Sequence, residues 1–288
     1  MAADKGEDAM SYRLFFISVV RTERLSPTFR RLTFGSPDLA DLAWGGLDQR
    51  VKLLLATADQ WAAVPAVDDW FEWWRALPDE VRPPMRTYTI AAHRPAEGQV
   101  DIDFAVHGDS GPLSGFAVGA GPGDRLLLVA PGADAPPDVG VAWRPAGARR
   151  LLCVGDETAV PAIRNILGTL SADQACDVLL EVPDAFDVTE LPSAARVRVD
   201  WVVRRAGEPV GIRADEVMFG VSASPSSPGD PDPDLWQEAT GTAEDRYAWV
   251  AGEVAWVNRV RKQLATRGYT GTNASFMGYW RHGFPSRG

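Results

Sequence analysis

The amino-acid sequence predicts a chain in two parts, an antiparallel β-barrel or sandwich followed by an α/β unit, and three observations carry this. Short β-rich runs separated by turn residues fill the first part, with no long helical pattern before residue 110. A Pro/Gly/Ala-rich stretch, PGADAPPDVGVAWRPAGARR, comes next, and beyond it strand-like and helix-like runs alternate.

Within SYRLFFISVVRTERLSPTFRRLTFGSP two strands are split at the turn pair Ser26-Pro27, and RVKLLLATA supplies a third. TYTIAAHRP, QVDIDFAVHG and GDRLLLVAPG complete a set of short strands suited to a barrel or sandwich. The second part opens with strand RLLCVG and helix PAIRNILGTL, followed by strands CDVLLEV, VRVDWVV and YAWVAG. A helix, EVAWVNRVRKQLATRG, then closes at Gly268, a residue suited to a helix C-terminus. The Pro/Ser/Asp-rich SASPSSPGDPDPDLWQEATGTAEDR reads as a surface loop, and the last aromatic residues as a segment docked on the core or covering a ligand. No internal repeat is found.

At 288 residues and 45% hydrophobic content the chain can bury real cores. A net charge of −10 and a pI near 4.9 argue against nucleic acid or an anionic membrane as the main partner, so any anionic ligand must be met by a local basic pocket. The two cysteines, Cys153 and Cys176, lie in apolar runs and read as core thiols, which excludes a four-cysteine iron–sulfur centre. The three histidines have no metal-ligand spacing. No apolar run approaches the ~20 residues that span a bilayer, and MAADKGEDAM is not signal-like. A soluble cytoplasmic protein is expected.

Chemistry concentrates in a few segments. In PPMRTYTIAAHRP, strand alternation puts Arg86, Tyr88 and Ile90 on one face and Thr87, Thr89 and Ala91 on the other. A guanidinium fork beside a phenol suits a cofactor with a pyrophosphate at one end and a ring system at the other. Some twenty residues on, Gly108, Gly111, Pro112 and Ser114 form a turn into a short helix, PLSGFAVGA, whose free N–H groups make an anion site. GDETAVPAI places Gly155, Asp156, Glu157 and Thr158 at a strand–turn–helix junction of the kind that binds nucleotides in open α/β sheets. Two carboxylates would repel a pyrophosphate, so this turn is expected at the ribose or nicotinamide end, or Asp156 and Thr158 simply cap the helix. Arg204 and Arg205 end a strand, where they either hold a 2′-phosphate or form a solvated edge. At Ala251-Gly252-Glu253 the glycine lets a cofactor approach the backbone.

In RTYTI, DFAVHGDSGPLSGFA, PGDRLLLVAPGA, GDETAVPAI, WVAGE and GYWRHG, taken in this order, the chain resembles the siderophore-interacting proteins, FAD-dependent NAD(P)H ferric-siderophore reductases of the ferredoxin-reductase-like superfamily. The resemblance implies an FAD-binding β-barrel domain at 12–132 and an NAD(P)H-binding α/β domain at 148–288, whose last segment returns toward the flavin. It assigns Arg86, Tyr88, Thr89, His107, Gly111, Pro112, Leu113, Ser114 and Trp280 to FAD. With that donor, the strand-end and turn residues read above, Gly155, Asp156, Glu157, Thr158, Arg204, Gly252 and Glu253, are the candidates for NAD(P)H. The substrate is then a ferric siderophore, met by the cations Lys52, Arg281 and His282, and the protein a monomer. Ala91 stands where the family often has an arginine, with His93 and Arg94 as nearby replacements, and Leu113 and Phe116 depart from the family's Gly-Pro-Ala-Ser-x-Trp. A general NAD(P)H:flavin reductase and a non-catalytic siderophore-binding protein remain as alternatives.

Overall fold

A computed structural model describes residues 11–64, 70–106, 111–220, 232, 235–241 and 245–283. The chain divides into two compact units, one running to Val141 without Ser26–Thr28, the other holding those three residues and the chain from Ala142 onward.

The first unit is a closed antiparallel barrel. Its strands β1 (Tyr12–Arg24), β2 (Phe29–Gly35), β3 (Arg50–Leu54), β4 (Met85–Arg94), β5 (Gln99–Ala105) and β6 (Arg125–Pro131) are ordered β1-β2-β5-β4-β3-β6. Alternation sends Phe15, Ile17, Leu32, Phe34, Val51, Leu53, Ile90, Ile102, Phe104, Leu126 and Leu128 into one core. Helix α1 (Ala58–Ala63) starts at a Thr57/Gln60 capping box, and α2 (Trp70–Ala76) carries three tryptophans. Their Trp61, Trp70 and Trp74 pack with Leu14, Leu54, Met85, Leu127 and Val129 in a second apolar cluster. Helix α3 (Pro112–Gly119) has proline at its first position and adds Leu113 and Ala117 to the barrel core.

The second unit holds β7 (Arg150–Asp156), α4 (Val160–Thr169), β8 (Ala175–Val182), β9 (Arg196–Val203), α5 (Ile212–Phe219), β10 (Trp236–Gln237), β11 (Arg246–Glu253), α6 (Val254–Ala265) and β12 (Ala274–Trp280). They build a sheet in the order β10-β12-β11-β7-β8-β9, parallel except where β10 meets β12. The chain steps from β7 to β8 and β9 on one side, then returns to β11 on the other. The crevice at the carboxyl ends of β7 and β11 is therefore the topological switch point, where open α/β sheets bind ligands.

The aromatic tail is thus an interior strand, β12, and α5 is a helix the sequence reading passes over. Most of the Pro/Ser/Asp-rich loop lies outside the described residues, although Trp236–Gln237 within it forms β10. Cys153 and Cys176 are buried free thiols with sulfurs 3.8 Å apart. Among the described residues no helix is long and apolar enough to cross a membrane, and no cluster of metal-ligating side chains occurs.

Candidate functional sites in the two units

In the barrel, Arg86 and Tyr88 share the inward face of β4, as alternation demands. Their register partners on β3, Leu53 and Val51, belong to the barrel core, and Tyr88 packs on Phe104 with ring centroids 4.6 Å apart. Burial raises the Tyr88 phenol, with Arg86 pulling the other way. Arg86 is half-buried and its guanidinium pKa is lowered by that burial. Among the described residues its hydrogen bond goes from Nη1 to the Met85 carbonyl at 2.7 Å, and no carboxylate pairs with it.

Two other cations of this unit, Arg31 and Arg94, are matched by carboxylates. Arg31 forks onto Asp103 at 2.7 and 2.9 Å, and Arg94 onto Asp101 at 2.7 and 2.8 Å. Burial works to raise the Asp101 carboxyl, but bonds from Arg94 and Thr33 outweigh it, and the net shift is downward. Arg86, by contrast, is a half-buried guanidinium left wanting an anion among the described residues.

Thr89 is buried on the opposite face of β4. Gly111 precedes α3 with an extended backbone, and a Cβ added there, or at Gly115, would meet nothing within 4 Å. This open surface at the start of an eight-residue helix leaves room for a ligand against the backbone. Pro112 is exposed and Ser114 half-exposed, whereas Leu113 is buried in the barrel core, so its side chain serves packing. His107 and Gly108 lie outside the described residues.

Three expectations for this unit need revision. Lys52 pairs with Thr87, so it lies on the other face of the sheet from Arg86 and Tyr88 and does not share theirs. His93 and Arg94 cannot stand in for the missing arginine: His93 Nε2 lies 2.9 Å from the Leu39 carbonyl, and Arg94 is held by Asp101 and Glu97. Ala91 sits at a bulge, where the pairing jumps from Ile90↔Ile102 to Ala92↔Asp101.

In the second unit the switch point is organised by Asp156. Its Oδ1 accepts from Thr158 N at 2.9 Å and Thr158 Oγ1 at 2.5 Å; its Oδ2 accepts from Glu253 N at 2.7 Å and Trp280 Nε1 at 2.8 Å. One carboxyl ties the ends of β7, β11 and β12 together. Burial, and secondarily the charge of Glu157, pushes its pKa up to about 7. Gly252 has φ +150°, and a Cβ there would stand 2.6 Å from Asp156 Oδ2. The close approach that this glycine permits is therefore that of Asp156. At Gly155 a Cβ would come within 2.4 Å of Ala159 Cβ, so that glycine seats α4 against the sheet.

Glu157 is fully buried and ion-paired with Arg204, whose Nε also lies 3.2 Å from Glu181 Oε1. Glu181 accepts from Gly211 N and Ala214 N at 2.7 and 3.0 Å, capping α5; burial raises its carboxyl, partly offset by those bonds. Neither carboxylate of the GDET turn faces outward, so repulsion gives no reason to keep a pyrophosphate away from it. Arg204, with its side chain only 12% exposed, is not a solvated edge and is already neutralised by the chain's own acids. Glu253 caps α6 through Trp256 N at 2.9 Å and accepts from His282 N at 3.3 Å. The His282 ring lies 6.4 Å from Trp280, and Arg281 follows β12 directly. The links of Asp156 to Trp280 and of Arg204 to Glu181 join residues too distant in sequence for any local pattern to announce them.

Known proteins resemble this chain along nearly its full length. The family model described as siderophore-interacting FAD-binding domain matches residues 18–135, and the one described as siderophore-interacting protein matches 148–283. The crystal structure of the siderophore-interacting protein SipS from Aeromonas hydrophila is 31% identical, with TM-score 0.68, covering 95% of this chain and 94% of that one. A ferric vibriobactin reductase from Vibrio cholerae is 29% identical over 205 residues, 71% of this chain and 67% of its own length. An NADPH-dependent ferric-chelate reductase from Escherichia coli is 25% identical over 267 residues, 92% of this chain and 91% of its own. A ferredoxin NADP+ reductase from Neisseria gonorrhoeae, 13% identical with TM-score 0.55 and covering 92% of this chain and 97% of that one, shares the fold.

Proposed function

The chain belongs to the siderophore-interacting protein family, and from that premise we propose that it is an NAD(P)H-dependent, FAD-containing oxidoreductase that reduces ferric siderophores and so releases ferrous iron. Arg86 is the observation that carries the reading: a half-buried guanidinium in the barrel, without a carboxylate partner among the described residues, is matched by the diphosphate of FAD. Tyr88 supplies an aromatic surface beside it, and the start of α3 at Gly111, Pro112 and Ser114 supplies open backbone donors. Thr89 is assigned to the flavin by the family resemblance alone, since it is buried on the face of β4 opposite Arg86 and Tyr88. Bound FAD converts a two-electron donor into a supply for a one-electron acceptor.

NAD(P)H is assigned to the switch point formed by Gly155 through Thr158, Gly252 and Glu253. Because Arg204 is spent on Glu157 and Glu181, a 2′-phosphate would be met by Arg205, whose side chain is 73% exposed. Asp156 holds Trp280 in place, and Arg281 and His282 follow on the same segment as cations for an anionic iron complex. Lys52 lies on the other face of the sheet from Arg86. Hard oxygen donors hold Fe³⁺ far better than Fe²⁺, so reduction loosens the metal without a dedicated protein acid. Names such as ferric vibriobactin reductase and NADPH-dependent ferric-chelate reductase among the relatives support the substrate class. We further assign the protein to the cytoplasm, as a monomer.

The test is anaerobic, with FAD-loaded protein, NADPH or NADH, a ferric siderophore and a ferrous chelator. Ferrous iron is expected only in the complete mixture. Flavin that is reduced without iron release would replace this reading with a general reductase, and flavin that neither nucleotide reduces would replace it with a binding protein.

A further inference from the structure

At the carboxyl end of β8 the chain makes a 3-10 turn, Ala185–Asp187, fixed from both sides. Asp184 Oδ1 accepts from Phe186 N at 2.8 Å, and Asp187 Oδ2 accepts from Asp184 N at 3.1 Å. Asp187 is buried and also accepts from Ser26 Oγ at 2.5 Å and from Thr28 N and Oγ1 at 3.2 and 2.6 Å. The turn is pinned, yet the side chain between these two acids, Phe186, is 81% exposed. Leaving a phenylalanine in water forgoes the stabilisation its burial would give. A scattered apolar side chain on a loose loop needs no explanation, but a phenylalanine held outward on a turn that hydrogen bonds fix from both sides does.

Its surroundings define what would cover it. Val182 of β8 registers with Val203 of β9, so the two strands end together, and Val203 and Val188 are also exposed, at 38% and 45%. Just beyond β9 come Arg204, turned inward, and Arg205, turned out with Glu208 3.5 Å from its guanidinium. The segments that leave the carboxyl ends of β8 and β9 thus carry an exposed aromatic ring, exposed valines and an exposed cation. In a doubly wound sheet the phosphates of a dinucleotide lie at the first strand–helix turn, here β7 to α4, and the adenosine ribose lies at the end of the second strand, here β8.

We propose that Phe186 is the stacking platform for the adenine ring of the dinucleotide donor. The inference rests on the NAD(P)H reading above and adds to it the residue that grips the far end of the cofactor. A stacked base is worth ~1–3 kcal/mol by alanine substitution, about five- to 150-fold in affinity.

The experiment compares wild type, Phe186→Ala and Phe186→Trp in the reduction of bound flavin by NADPH, NADH and reduced nicotinamide mononucleotide, which has no adenine. For Phe186→Ala the KM for whichever dinucleotide serves is expected to rise about tenfold. Its kcat, flavin content and melting temperature should stay unchanged, Phe186→Trp should restore the KM, and the mononucleotide should serve all three proteins equally. An unaltered dinucleotide KM, or an equal loss with the mononucleotide, would overturn the assignment. Wild-type flavin that no nicotinamide donor reduces would instead remove the donor reading on which it rests.

Discussion

Replacing Asp156 by asparagine separates the charge of this carboxyl from its shape. All four of its partners donate, and an amide has only one oxygen to offer. The oxygen must face Glu253 N and Trp280 Nε1, because both are obligatory N–H donors. The amide NH₂ then faces Thr158, whose hydroxyl can turn and accept while its backbone N–H loses its bond. That orphaned group costs about 1–3 kcal/mol at every pH. The wild-type carboxyl has a pH-dependent handicap of opposite sign. With its pKa raised from 3.8 to about 7, the folded protein keeps a proton that the unfolded chain has already released, so stability falls as pH rises through that window. The full loss is ~4 kcal/mol at ~1.4 kcal/mol per pH decade. The amide does not titrate and has no such loss. Urea unfolding of both proteins, between about pH 4 and about pH 8.5, should therefore show Asp156→Asn less stable at the acid end and equal or more stable at the alkaline end. Two stability curves that run parallel across this range would refute the account of Asp156 as a buried, neutralisable acid.

Other outcomes follow from the same geometry. Arg86→Ala should yield a folded protein that has lost FAD, read from the flavin absorbance after gel filtration; full flavin retention would remove Arg86 from the diphosphate site. Arg204→Ala leaves Glu157 and Glu181 buried without their cation and should destabilise by ~3–5 kcal/mol in urea unfolding, whereas Arg205→Ala should cost less than about 1 kcal/mol. Equal effects of the two substitutions would deny the inward ion cluster.

The barrel strands were legible because one buried face imposes a two-residue period, and that period alone puts Arg86 and Tyr88 on a common face. The same rule places Lys52 on the opposite face, but applying it requires the register of β3 against β4, which sequence does not supply. Helix α5 is only eight residues long and bracketed by Gly211 and Gly220, both left-handed. Those glycines were its available signal. β12 was obscured by its own composition: ASFMGYW lines an interior strand, and its aromatics read as well for a docked tail. The acid cluster was illegible for another reason. Glu157 and Glu181 look like solvent-seeking residues in a turn and a strand end, and only the meeting of β7, β8 and β9 turns them inward onto Arg204.

β12 lies between β11 and β10 in the sheet but is made after both of them. During synthesis, therefore, the flank of β11 that will receive β12 emerges with its row of amides and carbonyls unpaired, beside residues as apolar as Val250. A nascent chain that stalls in the span between Glu253 and Ala274 thus carries an open template for sticking to its neighbours.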